Sequence, residues 1–241
     1  MPAPAVTASV VSHAQNALVN QLLGDLGRVC AGQVKLILTE NAPDAVALEP
    51  QRARCPAERI VNDRRQGFGA NHNQAFRRCD TPFFCVLNPD LRLARNPFPD
   101  LMAQLSAPTR AAVGPLVRTP SGEIENSARR FVTPGSLLRK FFHRRDDPEY
   151  PADRGPIAVD WIAGMFILFR ADAYRASGGF DEAYFLYYED VDLCQRLRRQ
   201  GLEVIYDPQV EVTHDARRAS RRHLRLMAHH LASMLRYLSR Y

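Results

Sequence analysis

Long apolar runs, paired cysteines and lysine are all scarce in this chain of 241 residues. Its longest apolar stretch, residues 161–169, is too short to cross a bilayer as a helix. The five cysteines are scattered and form no Cys-x-x-Cys pair, so neither a zinc site nor a disulfide framework is indicated. The N-terminus has no basic segment followed by a long apolar one, so we predict no secretory signal and a cytoplasmic protein.

The positive charge comes almost entirely from arginine. The formal net charge is +6, and only Lys35 and Lys140 among the 32 basic residues are lysine. Arginine-rich surfaces favour phosphate groups or anionic lipid headgroups, although a genome that prefers arginine codons would produce the same bias. A nucleic-acid binder would interleave arginines with exposed aromatics, and only residues 129–145 approach that pattern. We therefore expect no nucleic-acid partner.

The first half of the chain alternates between strand and helix patterns. Repeated βα units predict a mainly parallel sheet with helices on both faces. Residues 118–156 are rich in Pro, Gly and charge, and they predict a long loop on the acceptor side of the site. The predicted strands are 8–11, 34–39, 59–62, 82–88, 111–117, 203–206 and 210–213, and the predicted helices are 16–29, 70–78, 98–105, 171–177 and 189–200.

Polar side chains follow three of the predicted strands. Glu40 and Asn41 follow the second strand, Asn88 and Asp90 follow strand 82–88, and His214 follows the last strand. Each residue alone would suit a turn or a helix cap, but ligands of parallel sheets bind beyond the carboxyl ends of the strands. A carboxylate and an imidazole, completed by water and phosphate oxygens, suit Mg²⁺ or Mn²⁺. Asp90 and His214 are therefore the candidate metal ligands.

The helix predicted over residues 189–200 begins with three acidic residues. Asp190 shares a helical face with Leu193, Cys194 and Leu197, which predicts an inward-facing carboxylate. Acidic side chains stabilise a helix when they lie near its N-terminus, and this effect is enough to explain the presence of Glu189 and Asp192. The same effect explains Asp190 less well, because it does not require an inward-facing side chain. A general base in a cleft would need that inward position.

Six motifs, taken in order, resemble glycosyltransferase family 2, and within it the bacterial rhamnosyltransferase-like members that build cell-surface polysaccharides. They are GFGANHNQA (67–75), LNPD (87–90), SARRF (127–131), DWIAGMFILFR (160–170), GGFDEAYFLYYEDVDLCQRLRRQG (178–201) and VTH (212–214). The resemblance implies an α/β GT-A fold, with a mainly parallel central sheet, flanking helices and a small mixed sheet near the acceptor side. It also implies a nucleotide-sugar donor (dTDP-rhamnose or a UDP-sugar), a saccharide or polyprenyl-linked acceptor, and inversion at the anomeric carbon by single displacement.

The resemblance also assigns roles to individual residues. Asp190 matches the catalytic base, and Asp90 with His214 matches the metal site. Glu40 stands where the family usually has an Asp that contacts the nucleobase and ribose. Trp161 borders the acceptor, or else belongs to the core. The nucleotide-sugar residues are Ser12, Glu40, Asn41, Gly67, Asn71, Asn88 and Asp90, and the acceptor residues are Trp161, Gly164 and Glu189.

Two domains are predicted, a catalytic one over residues 1–214 and a basic amphipathic helix over 215–241. Five arginines stand ahead of or within a helical apolar stripe. Three partners for this helix stay open: the protein's own sheet, a second subunit in a homodimer, and the inner face of a bacterial plasma membrane. The arginines are Arg217, Arg218, Arg221, Arg222 and Arg225, and the stripe is Leu224, Met227, Ala228, Leu231, Met234, Leu235 and Leu238.

A different class of function would be a non-catalytic nucleotide-sugar or nucleic-acid binding protein on the same scaffold. Such a protein would be expected to lose at least one of Asp90, Asp190 and His214, and this chain retains all three. The sequence therefore favours a metal-dependent inverting glycosyltransferase.

Overall fold

A computed structural model describes residues 3–133, 135, 148–215 and 224–241. The strands are β1 (Val6–His13), β2 (Val34–Ala42), β3 (Ala57–Val61), β4 (Phe83–Leu87), β5 (Leu91–Arg92), β6 (Arg110–Arg118), β7 (Ala128–Arg129), β8 (Ile157–Val159), β9 (Trp161–Ile162), β10 (Phe166–Arg170) and β11 (Glu203–His214). The helices are α1 (Asn16–Val29), α2 (Phe68–Phe76), α3 (Phe98–Gln104), α4 (Ala171–Ala176), α5 (Glu189–Arg199) and α6 (Leu224–Arg240), with a 3₁₀ turn at Pro50–Ala53.

Nine of these strands form one sheet in the order β3-β2-β1-β4-β10-β6-β11-β5, with β8 paired to β11. Strands β1 to β4, β6 and β11 run in the same direction, which confirms the predicted mainly parallel sheet. Strand β10 lies antiparallel between β4 and β6. Its first residue, Phe166, therefore lies opposite Leu87, the last residue of β4.

The sheet is buried on both faces. Leu22 and Leu26 of α1 pack on one face with Phe98 and Leu101 of α3. The opposite face carries α2, α4 and α5, where fully buried side chains include Tyr174. Because β4 alternates between the two clusters, its whole sequence is apolar, as expected for a strand covered on both sides.

Residues 203–214 form one strand, whereas the sequence predicted two. The register of β11 against β6 shifts between Asp207 and Glu211. Pro208 lies in this interval and has no N–H to donate, so the chain bulges there and continues as a strand. The second half of β11 ends with His214 paired to Leu91, beside the turn that follows β4.

The region predicted as a long loop contains regular structure. A hairpin follows β6, with the Thr119 N–H donating to the Glu123 carbonyl at 2.8 Å and Gly122 at a φ of +87°. Strand β7 then pairs with β9 in a second sheet, which is a single antiparallel pair and not mixed as predicted. Residues 134 and 136–147, which hold much of the arginine-aromatic stretch, lie outside the described residues.

Helix α6 packs on α5 and on the segment that precedes it. The Tyr237 side chain is buried there, and the Ser233 hydroxyl donates to the Leu186 carbonyl at 2.9 Å. Asp192 of α5, fully buried, accepts hydrogen bonds from Arg240 at 3.1 Å and from the Tyr241 hydroxyl at 2.9 Å. The helix therefore docks on the protein itself, but on α5 and not on the sheet, while the second subunit and the membrane surface stay predictions.

Only part of the predicted apolar stripe of α6 packs against the protein. Met227, Leu231 and Leu235 stay 59%, 52% and 57% exposed, while Met234 and Leu238 are half-buried. Polar and aromatic contacts with α5 determine which face of α6 docks, and a search for apolar periodicity does not detect such contacts. The arginines predicted at 217, 218, 221 and 222, and the side chains of residues 224 and 225, lie outside the described residues. The domain boundary at 214 stays a prediction.

Within the described part of the chain, no helix combines the length and the apolar composition that spanning a membrane requires.

Candidate active site

Four segments meet at the edge of the sheet where β4 and β11 end. His214 Nε2 lies 3.1 Å from Asp90 Oδ1. The Asn88 N–H donates to the Met165 carbonyl at 2.9 Å, and the neighbouring Gly164 N–H donates to Asp190 Oδ2 at 2.9 Å. This chain of contacts connects the turn after β4, the end of β11, the start of β10 and the beginning of α5. The structure thus brings Asn88, Asp90, Gly164, Asp190 and His214 into one region.

His214 lies between two carboxylates. Its Nδ1 is hydrogen-bonded to Glu125 Oε2 at 2.9 Å, and its Nε2 faces Asp90. Burial lowers the pKa of His214, but hydrogen bonding to Asp90 and Glu125 outweighs it and raises the pKa to about 9. Sequence reasoning missed Glu125, because nothing in the pattern of the long loop marks it.

The pair formed by Asp90 and His214 fits a divalent cation. Asp90 Oδ1 and His214 Nε2 are both buried and face each other, and neither has another hydrogen-bond partner. A carboxylate oxygen and an imidazole nitrogen are ligands that Mn²⁺ accepts, and Mg²⁺ binds with few protein ligands when phosphate and water supply the rest. The described residues contain no cluster of three or more His, Cys, Asp or Glu placed to hold a metal.

Asp190 stands at the first turn of α5 with its carboxylate held by backbone donors. Val191 N–H donates to Oδ1 at 2.8 Å, opposite the Gly164 bond to Oδ2. As predicted for the inward face of this helix, Leu193, Cys194 and Leu197 are fully buried. Burial raises the pKa of Asp190, against the opposing effects of these two N–H groups and of Arg129. The result is an ionisable carboxylate that is more basic than usual and held in one orientation.

The two acids beside Asp190 are buried more deeply than a helix-capping role requires. Glu189 is 4% exposed, its Oε2 has no hydrogen-bond partner, and burial followed by the Asp190 charge raises its pKa well above the usual range. Asp192 forms an ion pair with Arg196 at 2.8 Å, but it is completely buried and also anchors α6. Capping alone therefore does not explain either residue. The assignment of Glu189 to the acceptor stays a prediction.

Several residues assigned to the donor have side chains engaged within the protein. Asn41 accepts from the Gln66 N–H at 2.8 Å and donates to the Gln66 carbonyl at 2.9 Å, and Asn71 donates to the Gly67 carbonyl at 2.8 Å. Ser12 is buried and donates to Asn16 Oδ1. Asn41 and Asn71 thus hold the loop that leads into α2, and Ser12 holds the start of α1. Their contact with a donor stays a prediction.

Glu40 and Gly67 also have clear structural roles. The Glu40 carboxylate forms an ion pair with Arg59 of the edge strand β3. A Cβ on Gly67 would lie 2.6 Å from the Phe185 carbonyl oxygen, so only glycine allows the two segments to approach this closely. Their roles in donor binding likewise stay predictions.

Two residues assigned to the acceptor have different surroundings. Trp161 is 8% exposed, packs in the core and donates to the Arg130 carbonyl at 2.8 Å. Gly164 lies beside Asp190, and a Cβ there would be 3.6 Å from Asp190 Oδ2 and 3.1 Å from the Phe68 ring. The glycine therefore allows the Phe68 ring and the Asp190 carboxylate to lie close to the backbone at this position.

Arg129 adds a positive charge near Asp190 that sequence reasoning did not assign. It belongs to the SARRF motif, and β7 carries it into place. Its Nε donates to the Asn126 carbonyl at 2.6 Å, and its guanidinium lies 5.5 Å from the centre of the Trp161 ring. Being held on both sides, the charge stays where it favours an ionised Asp190.

The sequence profile described as "Glycosyltransferase like family 2" matches residues 3–231. The chain belongs to this family. As a glycosyltransferase it is similar to the N-acetylglucosaminyl-diphospho-decaprenol L-rhamnosyltransferase of Mycobacterium tuberculosis, at 28% identity over 98% of this chain and 83% of the relative. It is also similar to Rhamnosyltransferase WbbL of Escherichia coli, at 28% identity over 96% of this chain and 91% of the relative. Family and relatives together make it a hexosyltransferase.

The fold agrees with this assignment. The mannosyltransferase PcManGT of Pyrobaculum calidifontis, solved with GDP-Man and Mn²⁺, superimposes with a TM-score of 0.68 at 16% identity, covering 100% of this chain and 66% of that chain. The glycosyltransferase therefore has the GT-A fold implied by its motifs.

Replacing Arg129 with methionine should raise the pKa of Asp190 in this glycosyltransferase, because the change removes a positive charge that favours the carboxylate. Methionine keeps an apolar stem against Trp161. A titration that follows the ¹³C shift of the Asp190 carboxyl group should show its midpoint at higher pH than in the wild type.

Arg130→Met is the matched control, since that guanidinium lies over the Tyr150 ring at 5.3 Å. A midpoint that stays in place or moves to lower pH in Arg129→Met would show that Arg129 does not act on Asp190.

Proposed function

We propose that the protein is a divalent-cation-dependent, inverting glycosyltransferase that transfers L-rhamnose or a related hexose. Its donor is a nucleoside diphosphate sugar, dTDP-rhamnose or a UDP-sugar, and its acceptor is a hydroxyl of a saccharide or a lipid-linked saccharide in cell-surface polysaccharide synthesis. The two rhamnosyltransferase relatives support the sugar, and the decaprenol-linked substrate named for one of them supports the acceptor. The observation that carries the proposal is the Asp190 carboxylate, fixed by two N–H groups at the same edge as Asp90 and His214.

In this reaction Asp190 accepts the proton of the acceptor hydroxyl. The hydroxyl oxygen forms a bond to the anomeric carbon while the bond from that carbon to the diphosphate oxygen breaks, and the nucleoside diphosphate leaves with the electron pair. Attack from the side opposite the leaving group inverts the anomeric configuration, so no covalent enzyme intermediate is required. The raised pKa of Asp190 suits proton transfer from an alcohol near neutral pH.

Asp90 and His214 would hold Mg²⁺ or Mn²⁺ through Oδ1 and Nε2. When bound, the cation supplies positive charge for the diphosphate leaving group. Two protein ligands leave room for phosphate oxygens, so donor and cation are expected to bind together.

A non-catalytic binding protein on the same scaffold is the less favoured function. Such a protein needs no oriented carboxylate, yet the Gly164 and Val191 N–H groups hold both oxygens of Asp190.

Asp190→Asn should reduce sugar transfer by about 10²–10⁴-fold, the usual contribution of a general base, while donor affinity stays nearly unchanged. The amide has the same volume but cannot take the proton. Initial rates of transfer, alongside calorimetric titration with donor, measure both quantities.

Asp172→Asn is the control, because that carboxylate is exposed on α4 in an ion pair with Arg170. Transfer by Asp190→Asn within about tenfold of the wild type would rule out the base assignment.

We further propose that α6 holds the enzyme reversibly at the cytoplasmic face of the plasma membrane. Met227, Leu231 and Leu235 recur every four residues and are each more than half exposed, while Tyr237 is buried against the protein. Five arginines precede or begin this helix in the sequence, and basic residues near an anionic leaflet contribute about 1 kcal/mol each. An enzyme with a lipid-linked acceptor would benefit from this location.

The double variant Leu231→Gln/Leu235→Gln should weaken binding to vesicles that contain anionic phosphatidylglycerol by about tenfold or more, since each leucine loses its favourable transfer from water. Co-sedimentation at two salt concentrations measures the binding. Truncation is unsuitable as a test, because α6 also covers Asp192.

Val61→Gln is the matched control, an exposed apolar residue on the edge strand β3. Equal vesicle binding by the double variant would contradict the membrane proposal. So would a wild-type dimer that becomes a monomer in the double variant, because the stripe would then be a subunit interface.

A further inference from the structure

Glu125 is held in place by backbone contacts on both sides. Its N–H donates to the Val117 carbonyl at 2.9 Å, and its carbonyl accepts from the Ser127 N–H at 2.8 Å. The hairpin that follows β6 returns the chain to that strand, with a bridge between Arg118 and Ile124. Glu125 therefore projects from an ordered part of the long loop, and its carboxylate reaches His214 Nδ1 at 2.9 Å.

The two nitrogens of His214 have different surroundings. Nδ1 makes a hydrogen bond to the Glu125 carboxylate, whereas Nε2 is buried and faces Asp90 Oδ1, with no other polar partner. A carboxylate can only accept a hydrogen bond, so Nδ1 carries the proton. Nε2 lies 3.1 Å from Asp90 Oδ1. When a cation replaces the proton on Nε2, the neutral imidazole keeps its proton on Nδ1 and offers the Nε2 lone pair to the cation.

We propose that Glu125 is a positioning residue that fixes the tautomer and the ring orientation of His214 for cation binding. Resting on the proposed function, this inference adds a residue that neither the motifs nor the family assignment identified. The lone pairs of Nδ1 and Nε2 diverge, so a carboxylate bonded to Nδ1 lies away from a cation at Nε2. Glu125 therefore acts through His214 and is not a third ligand, in agreement with the absence of a three-residue cluster among the described residues.

The experiment measures Mn²⁺ affinity by calorimetry and by the loss of the free Mn²⁺ signal in electron paramagnetic resonance, with UDP or dTDP present. Glu125→Ala should weaken Mn²⁺ binding by about 10–100-fold, the usual effect of removing the group that orients a ligating histidine. Glu125→Gln should lose less Mn²⁺ affinity than Glu125→Ala, since the amide oxygen of glutamine can still accept a hydrogen bond from Nδ1–H. The exposed Glu123 in the same hairpin provides the control Glu123→Ala, for which Mn²⁺ affinity should stay within about twofold.

If Glu125 only stabilised the fold, its replacement would lower the thermal midpoint together with the Mn²⁺ affinity. The proposal predicts a different result. Thermal midpoints and nucleotide affinity without metal should stay near wild type in Glu125→Gln while Mn²⁺ affinity falls. If Glu125→Ala does not fold, Glu125→Gln still tests the proposal. The Mn²⁺ affinity of Glu125→Gln must then be measurably lower than that of the wild type and of Glu123→Ala.

Asp90→Ala separates this inference from the proposed function. If Asp90→Ala loses Mn²⁺ binding and neither Glu125 variant changes it, the Glu125 inference is overturned and the metal site stands. If Asp90→Ala also leaves Mn²⁺ affinity unchanged, the metal site itself is wrong, and the inference falls with it.

Discussion

The antiparallel insertion of β10 between β4 and β6 is the constraint on which the candidate site depends. In a purely parallel sheet, only strand ends and the loops after them would meet at the ligand-binding edge. Here the start of β10 lies at that edge, because Phe166 pairs with Leu87. Gly164 and Met165 therefore stand next to the Asn88–Asp90 turn, and Gly164 in turn holds Asp190. The strand pairing thus brings the presumed base close to the presumed cation ligands.

The first turn of α5 shows how three neighbouring acids acquire different properties from their contacts. Glu189 is buried with an unpartnered oxygen, which favours its neutral form. Burial raises the pKa of Asp190, while two backbone N–H groups and the nearby Arg129 oppose that rise. Asp192 is paired with Arg196 and Arg240. Of the three acids, Asp190 alone is half-buried and not buried, and its fixed orientation suits it to proton transfer.

Much of this arrangement could be predicted from the sequence because it follows from short-range rules. Apolar periodicity located α1 and the inward position of Asp190, and the common edge of parallel strands placed Asp90 near His214. Glu125 and Arg129 could not be found in this way, since the path of a long irregular loop has no periodicity. The docking face of α6 was also missed, because its contacts with α5 include polar groups such as Ser233 and Tyr241.

The central claim, that Asp90 and His214 hold the cation beside the presumed base, is tested most directly by locating the ion. Crystals grown with Mn²⁺ and a nucleoside diphosphate should give an anomalous difference peak at about 2.0–2.3 Å from Asp90 Oδ1 and His214 Nε2. The diphosphate should complete its coordination. A bound nucleotide with the manganese peak elsewhere, or with no peak at all, would contradict the account.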